Sequence, residues 1–305
     1  MGDPSFDANL PNDVPGTSGR IETNGITLHT VRAGPDDGPL VMLLHGFPEF
    51  WYGWHNQIRP LAEAGYRVVV PDQRGYNLSE KPAGVDNYHI DELARDVVGL
   101  IDAEGRDRAT IVGHDWGAAV GWWTALHYPD RVATLCAVNV PHPSVMAETL
   151  RRSWEQRFKS WYILAFQLPT VPEAIARFGN WRLLTAGMRR SSIPGTFTRE
   201  DFDRYREAWS RPNAFESMVN WYRATGRYRP APERDRVEVP TLVLWGRQDE
   251  FLKTSMAHES VDRCADGQLV TFDGATHWVL HEEPVRTAEE LLRFFEEGTP
   301  KPPNW

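Results

Sequence analysis

Cysteine is nearly absent from this chain: two residues, Cys136 and Cys264, among 305. Two isolated thiols cannot build a disulfide framework, and neither has the spacing of a metal ligand. They read as small buried hydrophobes of a protein from a reducing compartment. Long apolar runs are missing too. The longest, around Leu40–Leu44 and Val132–Val140, fall far short of a bilayer span. Residues 1–19, MGDPSFDANLPNDVPGTSG, contain no apolar stretch of the kind a secretory signal carries. Nor is there an excess of positive charge, since 33 Lys and Arg against 42 Asp and Glu give a formal net charge of −9. That sign argues against a surface built to neutralise phosphates, and so against nucleic acid as a partner. No glycine-rich loop of the phosphate or dinucleotide type occurs, and no His/Cys cluster has metal-ligand spacing. What remains is a cytoplasmic protein without membrane insertion, cofactor or metal, whose partner is a small molecule.

The residues present describe an α/β fold. At 41% hydrophobic and 25% charged, the composition is that of a globular chain with a substantial core. Asn24-Gly25 between two alternating segments, Arg20–Glu22 and Ile26–Arg32, predicts a hairpin. Short apolar runs bounded by turn residues follow at Leu40–His45, Arg67–Asp72, Ala109–His114, Val132–Val140, Thr241–Gly246 and Gln268–Gly274. Such runs suit strands buried on both faces of a mostly parallel sheet. Helix-period segments lie between several of them, notably 88–104 and 118–128, which is the pattern of a sheet covered by flanking helices. From about Pro143 to Pro232 the strand-like runs stop, and only helical patterns rich in Trp, Arg, Tyr and Phe remain. The expected organisation is therefore a flexible arm over 1–19, a core over 20–142 and 233–296, an inserted helical cap over 143–232, and a tail over 297–305.

Four motifs carry chemistry. Gly113-His114-Asp115-Trp116-Gly117 stands between a strand and a helix, with a small residue on each side permitting a sharp turn that exposes Asp115 above the sheet. His45-Gly46-Phe47-Pro48-Glu49 follows the Leu40–Leu44 strand, where a backbone N–H can join the one after the nucleophile to hold an oxyanion. Trp245-Gly246-Arg247-Gln248-Asp249 and Gly274-Ala275-Thr276-His277-Trp278 each put a titratable residue just past a strand end, the edge where parallel sheets bind ligands. The chain order Asp115, Asp249, His277 is nucleophile, acid, histidine. Asn139 also follows a strand, but an amide supplies no charge, so Asp249 is the expected acid. Asp72 reads as support for the fold, and His45, His114 and His281 as groups bonded to backbone or supporting the site.

HGFPEFWYGW, PDQRGYNLSEKP, GHDWGA, WGRQDEFL and GATHW resemble the epoxide hydrolases of the α/β-hydrolase fold over nearly all of residues 20–295. Two cap segments, Tyr162-Ile163-Leu164-Ala165-Phe166-Gln167 and Asn220-Trp221-Tyr222-Arg223, look like the stretches that place two tyrosines over the nucleophile in that family. The resemblance implies that Asp115 attacks an epoxide carbon while Tyr162 and Tyr222 donate to the oxygen released. His277, oriented by Asp249, would then activate water against the resulting ester, with the N–H groups of Phe47 and Trp116 as the oxyanion hole. Phe47, Trp116 and Trp278 would contact substrate.

The alternative is a haloalkane dehalogenase with the same Asp nucleophile. Phe47 weighs against it, because many dehalogenases carry Asn there, whereas Trp116 suits both. A ligand receptor on the same fold is a third reading, but no triad member is missing.

Overall fold

The computed structural model describes residues 10–11, 14–228, 231–232 and 234–298. Its eight strands are β1 (Thr17–Thr23), β2 (Ile26–Ala33), β3 (Leu40–Leu44), β4 (Arg67–Pro71), β5 (Ala109–His114), β6 (Val132–Val138), β7 (Thr241–Gly246) and β8 (Gly267–Phe272). They form one sheet in the order β1-β2-β4-β3-β5-β6-β7-β8. β1 and β2 are an antiparallel hairpin, β2 runs antiparallel to β4, and every pairing from β4 to β8 is parallel. Asn24 and Gly25 both take positive φ, +43° and +74°. Their backbone twist matches that of the flanking strands, which is why this dipeptide closes the hairpin. All five residues of β3 and all six of β7 are buried, as expected of central strands covered on both faces.

The helices are α1 (His55–Glu63), α2 (Ile90–Ala103), α3 (Trp116–His127), α4 (Pro143–Arg152), α5 (Trp154–Lys159), α6 (Trp161–Ala165), α7 (Val171–Arg190), α8 (Arg199–Ser210), α9 (Ala214–Tyr228), α10 (Ser255–Val261), α11 (Val279–Glu282) and α12 (Pro284–Gly298). α2 turns Leu93, Val97, Leu100 and Ile101 inward, one face of a helical repeat. α3 is different: nine of its twelve residues are buried, because it is enclosed by the sheet and by its neighbours. α4 to α9 all fall between β6 and β7, with no strand among the described residues of that stretch.

The structure departs from the expected boundaries in three places. β1 begins at Thr17, so the last residues of the expected arm pair with β2, and Val14 is buried just before them. Residues 1–9 and 12–13 of that arm, and 299–305 of the expected tail, lie outside the described residues. The first stretch of the expected helical insertion is three short helices, α4 to α6, because Ser153 and Ser160 interrupt it and Ser153 caps α5 by accepting from the Gln156 N–H. α7 is broken at Phe178–Trp181, where Gly179, Asn180 and Trp181 take positive φ. No described helix is long and apolar enough to cross a membrane.

Candidate active site

The parallel half of the sheet delivers its loops to one edge. β3 leads to Phe47, β5 to Asp115, β6 to Asn139, β7 to Asp249 and β8 to His277. Asp115 sits at the strand-to-helix turn with φ +49° and ψ −122°. A non-glycine residue there is strained by about 1–3 kcal/mol. The two flanking glycines make the turn sterically feasible. A Cβ on Gly113 would meet the backbone carbon of Gly117 at 2.3 Å, and one on Gly117 would meet the Leu44 carbonyl oxygen at 2.0 Å.

Asp115 Oδ1 accepts the Phe47 N–H at 2.8 Å, while Oδ2 stands 3.6 Å from His277 Nε2. The other ring nitrogen, Nδ1, is 2.8 Å from Asp249 Oδ2. Asp249 is held from several sides: Oδ2 also accepts from Asn139 Nδ2 at 2.7 Å, and Oδ1 accepts the N–H groups of Phe251 at 2.7 Å and Leu252 at 3.0 Å. Burial disfavours its charge, yet His277, Asn139 and the Phe251 N–H outweigh that and lower its pKa. Burial likewise opposes charge on His277, but the carboxylates of Asp249 and Asp115 prevail and raise its pKa to about 10.

The expected residues are not all equally placed. Asp115, His277, Tyr162, Tyr222 and Phe47 line one cavity of about 370 Å³, with Phe166, Leu184, Met188 and Phe251 among its apolar walls. The Tyr222 ring meets those of Phe47, Trp116 and Tyr162 at centroid distances of 5.3, 5.0 and 6.0 Å. Burial and then the Asp115 charge raise the pKa values of both tyrosines well above the ordinary range, so both hydroxyls are protonated. Asp249 stands behind His277, outside the cavity wall. Trp116 packs edge-on to Trp221 and Tyr222 and does not line the cavity. Trp278, expected against substrate, is only 3% exposed. It packs on Phe197 and donates its indole N–H to Ser191 Oγ at 3.0 Å, because its side chain turns towards the segment that joins α7 to α8.

Two features exceeded the sequence reading. Asn139, whose amide supplies no charge, takes positive φ, donates to Asp249 and accepts the Gly246 N–H at 2.9 Å, tying the ends of β6 and β7 together. Glu49, the last residue of the His45 motif, is fully buried. It accepts from Tyr205 Oη at 2.6 Å, meets His281 Nε2 at 2.7 Å, and stands 3.3 Å from His114 Nδ1. His114 in turn reaches the His277 carbonyl at 2.9 Å through Nε2. The motif showed a charged residue in an otherwise apolar loop, but its three partners lie more than sixty residues away. Asp72 meets His29 at 2.7 Å and accepts the Trp51 N–H and Asn77 Nδ2, bonds that fix the loop.

Burial opposes ionisation of Glu49, but His281 and His114 hold its carboxyl well below the usual range. Replacing it by Gln leaves buried partners unmatched, so Glu49→Gln should cost about 3 kcal/mol of unfolding free energy at neutral pH. A depressed native pKa contributes stability above the unfolded value of about 4.3 and loses it as pH falls towards the native value. The gap between wild type and Glu49→Gln in chemical denaturation should therefore narrow below pH 4.3 or so. A gap that stays constant into acid would refute an ionised Glu49.

A strand-ordered sheet with an acid, a histidine and a strained strand-to-helix aspartate on one edge is the frame of an α/β hydrolase. The model described as alpha/beta hydrolase fold matches residues 39–284. The AB hydrolase superfamily protein YfhM of Bacillus subtilis is 47% identical, covering 90% of this chain and 96% of that protein. Epoxide hydrolase 1 of Caenorhabditis elegans is 37% identical, over 93% of this chain and 72% of that one. Among solved structures, the Bacillus megaterium epoxide hydrolase in complex with an inhibitor superposes with a TM-score of 0.83 at 30% identity, covering 91% of this chain and 99% of that one. The chain belongs to the α/β-hydrolase fold family, and within it to the epoxide hydrolases.

Proposed function

We propose that this protein converts an epoxide to a vicinal diol through an ester on Asp115. The observation that carries the reading is the pairing, in one cavity, of a carboxylate beside a histidine with two protonated tyrosines. A carboxylate attacks an sp³ carbon without prior deprotonation. Backside attack by Asp115 breaks the C–O bond of the ring, and Tyr162 and Tyr222 donate to the oxygen as it becomes an alkoxide.

Ester formation removes the Asp115 charge, one of the two that raise the His277 pKa. His277 then loses its proton more readily and serves as a base for water attacking the ester carbonyl. The N–H groups of Phe47 and Trp116 hold the resulting oxyanion. Collapse expels the diol, its new hydroxyl oxygen coming from Asp115. The proton freed as the carboxylate re-forms restores the tyrosine. Residues 143–232 act in this reading as a cap over the core of 20–142 and 233–296, bringing Tyr162 and Tyr222 to the nucleophile.

A panel of epoxides including an aryl epoxide, run beside a panel of haloalkanes, tests the reading. Diol without halide is the expected result, and halide without diol would make the protein a dehalogenase. The change in His277 is separately measurable. Its ring should titrate above pH 7 in the free enzyme by NMR, since its native pKa is raised to about 10. Ester hydrolysis should fail only at lower pH, below the His277 pKa in the uncharged ester. Identical values in the two states would contradict coupling to the Asp115 charge.

A further inference from the structure

The cap carries an apolar face that its fold does not cover. Nine of the twelve large hydrophobics exposed among the described residues fall within residues 154–183. On α5 and α6, Trp154 (80% exposed), Phe158 (80%), Trp161 (62%) and Leu164 (74%) follow one another every three or four residues, two on each side of the Ser160 break. Phe178 (77%) and Leu183 (57%) extend the exposure onto α7. Phe158, Trp161 and Leu183 also line the cavity that holds Asp115, so α5, α6 and α7 flank the same opening. Exposed apolar surface concentrated in this way marks an interaction site.

Charge decides what it meets. Residues 143–190 contain eight Arg and Lys against three Asp and Glu, in a chain whose net charge is −9. The three acids are neutralised by cations from elsewhere, Glu148 by Arg263, Glu155 by Lys253 and Glu173 by Arg223, and two of the eight cations by acids from elsewhere, Arg152 by Glu259 and Arg190 by Glu250, so the balance stays positive. Arg177 and Arg182 are exposed and face no carboxylate among the described residues, and the Arg157 guanidinium lies 4.5 Å over the Trp154 ring. A two-fold pairing of this face with a second copy would bring like charges together. An apolar surface of Trp, Phe and Leu with arginines beside it instead suits the boundary between anionic headgroups and acyl chains.

We infer that the α5–α7 face docks on anionic lipid surfaces, with the cavity mouth turned towards the bilayer so that a lipophilic substrate enters from the membrane. The docking rests on the surface alone, whereas the substrate class rests on the proposed epoxide chemistry.

The test is flotation of the full chain with vesicles of phosphatidylcholine, with and without phosphatidylglycerol, alongside hydrolysis of a water-soluble epoxide. Wild type should float with the anionic vesicles, less so at high salt, and poorly with phosphatidylcholine alone. The triple variant Trp154→Ser, Leu164→Ser, Phe178→Ser alters no cavity-lining residue. It should bind about tenfold or more weakly, yet hydrolyse the soluble epoxide at the wild-type rate. Wild type that fails to float overturns the docking. So does flotation unaffected by the triple variant, or concentration-dependent self-association in place of vesicle binding. Flotation without any epoxide hydrolysis would leave the docking intact and overturn the proposed reaction instead.

Discussion

His277→Gln should trap the enzyme halfway. Incubated with an epoxide that wild type turns over, the variant should gain the mass of that epoxide and keep it, because the ester forms without a base but is hydrolysed only with one. Loss of a general base should slow the second step by about 10²–10⁴-fold. The carboxylate attack itself needs nothing from the imidazole, since Asp115 Oδ1 is held by the Phe47 N–H and Oδ2 stands 3.6 Å from the ring. Intact-mass spectrometry after a short incubation reads the adduct, and peptide mapping should place it on the segment containing Asp115. A correctly folded variant that stays unmodified would sink the two-step mechanism. The ring is 3% exposed, and Gln keeps a side chain of comparable size with donor capacity towards Asp249.

Replacing both cap tyrosines should act on the other half of the reaction. Tyr162→Phe or Tyr222→Phe alone should slow ring opening by about a hundredfold, the scale of losing one donor to a developing oxyanion. The double variant should be slower still, though by less than the product of the single effects, because both hydroxyls serve one oxygen. Neither change empties the cavity, since the rings that pack against Phe47, Phe166 and Trp116 remain. The distinguishing measurement is the rate of adduct formation in the His277→Gln background. It should collapse in the triple variant if the tyrosines open the ring. Unaltered adduct formation would reduce Tyr162 and Tyr222 to lid packing.

The parallel core was legible in short apolar runs bounded by turn residues, which suit doubly covered strands, and β3, β5 and β7 lie within a residue of those runs. β2 pairs antiparallel with β4, which no local pattern announces, because the direction of a neighbour is a property of the connection and not of the strand. The residues brought to the cavity by strand-end motifs, Asp115 and His277, were legible because each follows an apolar run in a fixed order. Tyr162 and Tyr222 came only from resemblance, since an aromatic on a helical lid carries no periodic signal that separates packing from chemistry. The place of Trp278 is hidden for a related reason: its neighbour His277 faces the cavity, but the Trp278 indole is buried against Phe197. Asn139 and Glu49 act through partners distant in sequence, which only the assembled sheet edge and, for Tyr205, the packing of α8 bring within reach.

A single turnover in oxygen-labelled water, with enzyme in excess over epoxide, separates covalent catalysis from direct attack by water. The diol from the first turnover should carry no label, because its new oxygen comes from the Asp115 carboxylate, and the label should appear in the Asp115 peptide. Labelled diol from an unlabelled enzyme would mean that water attacks the epoxide itself, and the ester on Asp115 would not lie on the reaction path.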